Sequence, residues 1–177
     1  MFKEKVINIP NTLTLLRLIA IPFFVIALFS ERSVTALAIF ILLVIGDAVD
    51  GYLARALKQT TNFGKAFDGI VDGVLLAVVL VSLLMLDKIS LLWVIVLLAP
   101  KAVNFVLQAT YSKIKEKVVA VKTTLGRIST GLLYLTIILI IIDYKYRLYA
   151  LIITAVLVYI AGIRHALAIK KYLAIKK

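Results

Sequence analysis

The sequence predicts an all-α integral membrane protein with six transmembrane helices and both termini cytoplasmic. Three observations carry that expectation. The 177 residues are 63% hydrophobic, where a soluble domain would be about half apolar, and the mean hydropathy is +1.09. Apolar stretches of the roughly 20 residues needed to cross a bilayer recur six times along the chain. Lysine and arginine are shared unevenly between alternate connecting segments, the asymmetry that sets membrane topology.

The first expected span, Asn11–Ser30, follows "INIPNTLTLLRL". Pro10 and Asn11 suit a helix start, and Met1 to Asn8 reads as a short interfacial segment. Asn11, Thr12, Thr14 and Arg17 interrupt the apolar run, and no small-residue cleavage site follows. A retained helix is therefore expected in place of a signal peptide. Asn11, Thr14 and Arg17 share one stripe of it, at the edge of any cavity formed with the next helices. The second and third spans, Val34–Arg55 and Ala66–Leu86, are separated by the polar run Lys58 to Phe63. The last three are Leu91–Tyr111, Leu125–Ile142 and Tyr149–Ile169, divided by the basic run Lys113 to Lys122 and by Asp143 to Arg147. Residues 1–177 read as a single domain, without repeats or linkers.

Numbering the connections alternately from the N-terminus, one set holds Lys3, Lys5, Lys58, Lys65, the Lys113–Lys115–Lys117–Lys122 cluster and the tail lysines Lys170, Lys171, Lys176 and Lys177. The other holds only Arg32, Lys88, Lys145 and Arg147. The first set belongs in the cytoplasm. The net charge of +12 then marks loops that face anionic lipid. A nucleic-acid partner is not expected, since no aromatic–basic platform lies outside the spans. Zero cysteines and one histidine, His165, exclude thiolate chemistry and a histidine-built metal site.

Against that apolar background, four of the nine acidic residues fall in one stretch, "GDAVDGYLARALKQTTNFGKAFDGIVDG". Residues three or four apart share a helix face, so Asp47, Asp50 and Ala54 form one stripe and Gly64, Asp68 and Asp72 another. Asp47 lies eight residues before Arg55, and Asp72 eight after Gly64. The deepest carboxylate on each helix is thus roughly 12 Å below the connecting turn at 1.5 Å per residue. Neighbouring antiparallel helices bring those carboxylates to one level. Each costs about 2.5–3.5 kcal/mol at a helix centre, so a cation must accompany them, and Arg55 alone cannot balance four. Oxygen-only ligands point to hard divalent ions, Mg²⁺ first and Mn²⁺ or Ca²⁺ next. Two such ions bridged by carboxylates suit displacement at phosphorus. Gly51 and Gly64 leave room for a phosphate or nucleotide, whereas Gly69 and Gly73 read as a helix-packing pair. An ion-coupled transporter remains the alternative, although neither an inverted repeat nor a pair of broken helices is visible.

The pattern Asp47-x-x-Asp50-Gly51-x-x-Ala54-Arg55, eight residues, Gly64-x-x-x-Asp68-x-x-x-Asp72 resembles in full the signature of the CDP-alcohol phosphotransferase family. "IPNTLTLLRL" and "TNFGKAFD" further resemble its phosphatidylglycerophosphate synthase branch. The resemblance implies a multi-pass enzyme of the cytoplasmic membrane with a polar metal-binding cavity open to the cytoplasmic side. A CDP-linked lipid (CDP-diacylglycerol or its archaeol counterpart) would donate a phosphatidyl group to an alcohol and release CMP. Asp47, Asp50, Asp68 and Asp72 would hold two Mg²⁺ ions, with Mn²⁺ as a substitute. Asp72 would also be the general base, and Asp50, Gly51, Ala54, Arg55 and Gly64 would line the nucleotide site. A homodimer is a further implication.

Cations in or beside the later spans, Lys101, Lys122, Arg127 and Arg164, point to a small phosphorylated alcohol as acceptor, glycerol 3-phosphate first. Each could instead snorkel to the headgroups. His165 reads as a helix-end or interfacial histidine. The chain departs from glycerophosphate enzymes at Gly69 and Gly73, where they carry proline and lysine. At Pro100-Lys101 they carry an arginine–glutamate pair. Inositol 1-phosphate, serine and phosphatidylglycerol therefore stand as alternative acceptors.

Overall fold

Six α-helices account for almost all of the computed structural model, which describes residues 8–114 and 123–174. They are α1 (Ile9–Phe29), α2 (Ser33–Ala56), α3 (Asn62–Met85), α4 (Leu91–Ile114), α5 (Thr124–Ile141) and α6 (Arg147–Ala174). All six are long and apolar enough to cross a membrane. Their outward faces support the same reading. On α1 the exposed positions include Leu16, Ile19, Phe23 and Ile26, while Ile21, Phe24 and Leu28 are buried. A helix apolar on all sides needs hydrocarbon around it. The interfacial segment expected before Asn8, residues 115–122 of the basic run and the last tail lysines lie outside the described residues.

The helices fall into two compact units, α1–α3 and α4–α6. In the first, α1 packs on both α2 and α3. Phe24 of α1 meets Phe40 of α2 with ring centroids 5.8 Å apart, and Val71, Leu75 and Val79 bury one stripe of α3. In the second, α6 packs on both α4 and α5. The buried hydroxyls of Thr136 and Thr154 lie 2.7 Å apart, a polar link that an apolar medium favours. Gly162 faces α4 closely, since a Cβ there would stand 3.3 Å from both Pro100 and Asn104.

The turns explain where helices stop. Glu31, Lys58, Asp87 and Asp143 all have positive φ, between 53° and 56°. Each follows directly on a helix C-cap. Paired hydrogen bonds such as Arg32 N–H to Ala27 O and Glu31 N–H to Leu28 O close the ends. That is the Schellman arrangement, formed without its usual glycine. Beyond α5, the carboxylate of Asp143 accepts from both Lys88 and Arg147.

Candidate functional site

One polar stripe on α1 faces two acidic stripes on α2 and α3. Asn8 caps α1 by accepting from the Asn11 N–H, and Asn11, Thr14 and Arg17 then recur every three residues, all buried. Helical spacing puts them on one face, and because α1 packs on α2 and α3 that face meets the aspartates. The Thr14 hydroxyl stands 3.1 Å from Asp50 Oδ2 and 3.1 Å from the carbonyl of Pro10.

Arg17 occupies the centre. Its Nη1 lies 3.3 Å from Asp47 Oδ1, 3.0 Å from Asp50 Oδ2 and 3.3 Å from Asp68 Oδ1, and its Nη2 is 2.8 Å from Asp72 Oδ1. The side chain is only 4% exposed, and its Nε has no hydrogen-bond partner. Gly46 makes the approach possible, because a Cβ there would stand 3.1 Å from Arg17 Cδ and 3.2 Å from Cγ. The four carboxylates expected to converge are therefore together. The cation that accompanies them comes from the first helix, at the middle of the cluster instead of its edge. Arg55, by contrast, is exposed in the last turn of α2.

Four carboxylates share the one guanidinium of Arg17. Asp47, Asp50 and Asp68 each place an oxygen within 4.8 Å of the other two. Hard oxygen donors converging from two helices, already gathered round a positive charge, fit a divalent cation. Asp72 joins this trio through the shared guanidinium.

The glycines divide differently from expectation. A Cβ on Gly64 would come within 2.5 Å of Asn11 Oδ1 and 2.9 Å of Thr61 Oγ1, so a side chain there would force Asn11 or Thr61 to shift. It also donates its N–H to Thr61 Oγ1, the cap of α3. Gly51 has only Arg55 Nη1 near its would-be Cβ, at 3.7 Å, and Ala54 is half-buried on the same helix. The packing role expected of Gly69 and Gly73 is not found, since neither has any described atom within 4 Å of a Cβ.

Among the later cations, Lys101 is half-buried in α4 and donates to Thr130 Oγ1 of α5 at 3.0 Å. Arg127 and Arg164 are exposed, His165 is half-buried, and Lys122 lies outside the described residues.

Comparison with known proteins is consistent with this site. The family described as CDP-alcohol phosphatidyltransferase matches residues 7–163. A protein of Rickettsia felis named CDP-diacylglycerol–glycerol-3-phosphate 3-phosphatidyltransferase is 31% identical over 93% of this chain and 97% of its own length. A Haemophilus influenzae protein of the same name is 32% identical over 96% of this chain and 94% of its own. A third so named, from Wigglesworthia glossinidia brevipalpis, is 35% identical, but the match covers only 62% of this chain and 59% of that protein.

Proposed function

Because the chain belongs to the CDP-alcohol phosphatidyltransferase family, we propose that it moves a phosphatidyl group from a CDP-linked lipid to glycerol 3-phosphate, releasing CMP in phospholipid synthesis. The observation that carries this reading is the convergence of Asp47, Asp50, Asp68 and Asp72 around one cationic centre inside an apolar helix group. The acceptor follows the names of the relatives that match nearly the full chain.

In the reaction, the acceptor hydroxyl oxygen bonds to the lipid-side phosphorus of the diphosphate. The bond from that phosphorus to the bridging oxygen breaks, and CMP departs with the electron pair. Asp72 takes the hydroxyl proton. Asp47, Asp50, Asp68 and Asp72 would hold two Mg²⁺ ions, with Mn²⁺ able to substitute, and these would neutralise the diphosphate and the departing charge. A carboxylate among cations is a modest base, so alignment of the hydroxyl contributes much of the rate. Asp50, Gly51, Ala54, Arg55 and Gly64 are assigned to the nucleotide. The acceptor phosphate is assigned to Lys101, Lys122, Arg127 and Arg164. The proposal places both termini and the opening of the aspartate cavity on the cytoplasmic side of the cell membrane, and the active species as a homodimer.

The test incubates purified protein with labelled CDP-diacylglycerol, Mg²⁺ and a panel of glycerol 3-phosphate, inositol 1-phosphate, serine and phosphatidylglycerol. CMP release with glycerol 3-phosphate alone is the expected result. Release with another member reassigns the acceptor, and no release with any of them, in Mg²⁺ or Mn²⁺, overturns the transferase reading.

A further inference from the structure

Arg17 and a divalent ion would draw on the same aspartate trio. Nη1 stands 3.0–3.3 Å from one oxygen each of Asp47, Asp50 and Asp68, and each of these three carboxylates offers an oxygen within 4.8 Å of one from each of the others. Magnesium requires its oxygens at about 2.0–2.1 Å, so the three would have to draw inward onto the ground that Nη1 holds. Neutralising like charges on the same carboxylates would also set two cations against each other at contact distance.

Nor is the guanidinium held as a permanent structural strut would be. A buried arginine that only braced the helices would satisfy all of its donors, yet Nε has no partner. Its contacts are confined to the terminal nitrogens, and two of the four, to Asp47 and Asp68, are long at 3.3 Å. The stem lies along Gly46, where a Cβ would stand 3.1 Å from Cδ and crowd it. We propose that Arg17 is a resident counter-cation that competes with divalent ions for the aspartate cradle and must withdraw Nη1 before an ion can be held. This inference rests on the metal-binding reading above. The same withdrawal releases Asp72 Oδ1 from Nη2, so the general base is freed only as the cradle is loaded. Until then Arg17 holds four carboxylates together that would otherwise repel.

The experiment uses the full chain in detergent micelles, stripped with chelator, and measures Mn²⁺ binding by the paramagnetic signal of free Mn²⁺ alongside the thermal midpoint. Arg17→Met keeps the aliphatic stem and removes the charge. It is expected to melt below wild type in chelator, to bind Mn²⁺ at least about tenfold more tightly, and to gain more in midpoint from saturating Mn²⁺. Arg17→Lys keeps a positive charge and is expected to stay within about threefold of wild type in Mn²⁺ affinity. Equal or weaker binding by Arg17→Met overturns competition, as does Arg17→Lys behaving like Arg17→Met. Failure of Arg17→Met to fold even with Mn²⁺ present does so too, because an ion should replace the lost charge. Wild-type protein that binds no Mn²⁺ instead overturns the metal-site reading beneath it.

Discussion

At Asp68 the carboxylate is 27% exposed and meets Arg17 Nη1 at 3.3 Å, while the buried Asp50 makes the shorter 3.0 Å contact. Replacing Asp68 by asparagine removes one charge but leaves Arg17 its other three acidic partners, so the fold should survive. The proposed ion-holding set, however, falls from four carboxylates to three and loses one of the three that converge within 4.8 Å. Asp68→Asn is expected to lower CMP release by at least about a hundredfold with little change in the thermal midpoint. Near-normal turnover would refute the metal role assigned to this residue. Lys101 offers a separate test. Its ammonium is half-buried and tied to Thr130 Oγ1, and a charged hydrogen bond to an acceptor phosphate contributes about 1.5–3 kcal/mol. Lys101→Ala should therefore raise the KM for glycerol 3-phosphate about tenfold or more and leave the donor KM nearly unchanged. A rise confined to the donor term would move Lys101 to the nucleotide or diphosphate.

Helix ends show which parts of the structure were readable from sequence. Each apolar run announced its helix, because a span must be apolar over its whole length. The helix α3 begins at Asn62, ahead of the apolar run that starts near Ala66 and of Gly64, which shares its stripe with Asp68 and Asp72. Thr61 accepts from the Gly64 N–H, and Thr123 accepts from the Gly126 N–H at the start of α5. Both threonines look like loop residues until the glycine three positions later is read with them. The aspartate cluster was visible because two spacings coincide at one depth. The place of Arg17 was not, since it depends on how α1 packs, although the Asn11–Thr14–Arg17 stripe was its signal. At the other end of α5, hydrogen bonding from Lys88, opposed by partial burial and helped by Arg147, holds the Asp143 carboxyl below its ordinary range. A lowered folded-state pKa contributes stability above the ordinary carboxylate value of about 3.9, lost as pH falls through the lowered one. Asp143→Asn should thus lower the thermal midpoint slightly at pH 7, with the difference from wild type shrinking below about pH 4. The side chain is 55% exposed, so the effect is small. A difference that grows on acidification would reverse the assigned sign.

Connectivity and two polar links together constrain the topology of the whole chain. Asn8, at the head of α1, donates to the carbonyl of Gln59 in the α2–α3 turn, which sets those two segments at one membrane face. Lys88 in the α3–α4 turn bonds to Asp143 in the α5–α6 turn, which sets those two at one face as well. An alternating six-span path would put these turns on opposite sides, and the proposed orientation makes the first, lysine-rich side cytoplasmic. Because the chain has no cysteine, a single introduced thiol reports its own side without background. Thr60, Ser90 and Lys145 are all exposed in turns, so their substitution should not disturb packing. Thr60→Cys is expected to react with a membrane-impermeant maleimide only after cells are permeabilised, whereas Ser90→Cys and Lys145→Cys should react in intact cells. The inverse pattern would turn the aspartate cavity away from the CMP pool. Labelling of Ser90→Cys and Lys145→Cys from different sides would break the six-span arrangement itself.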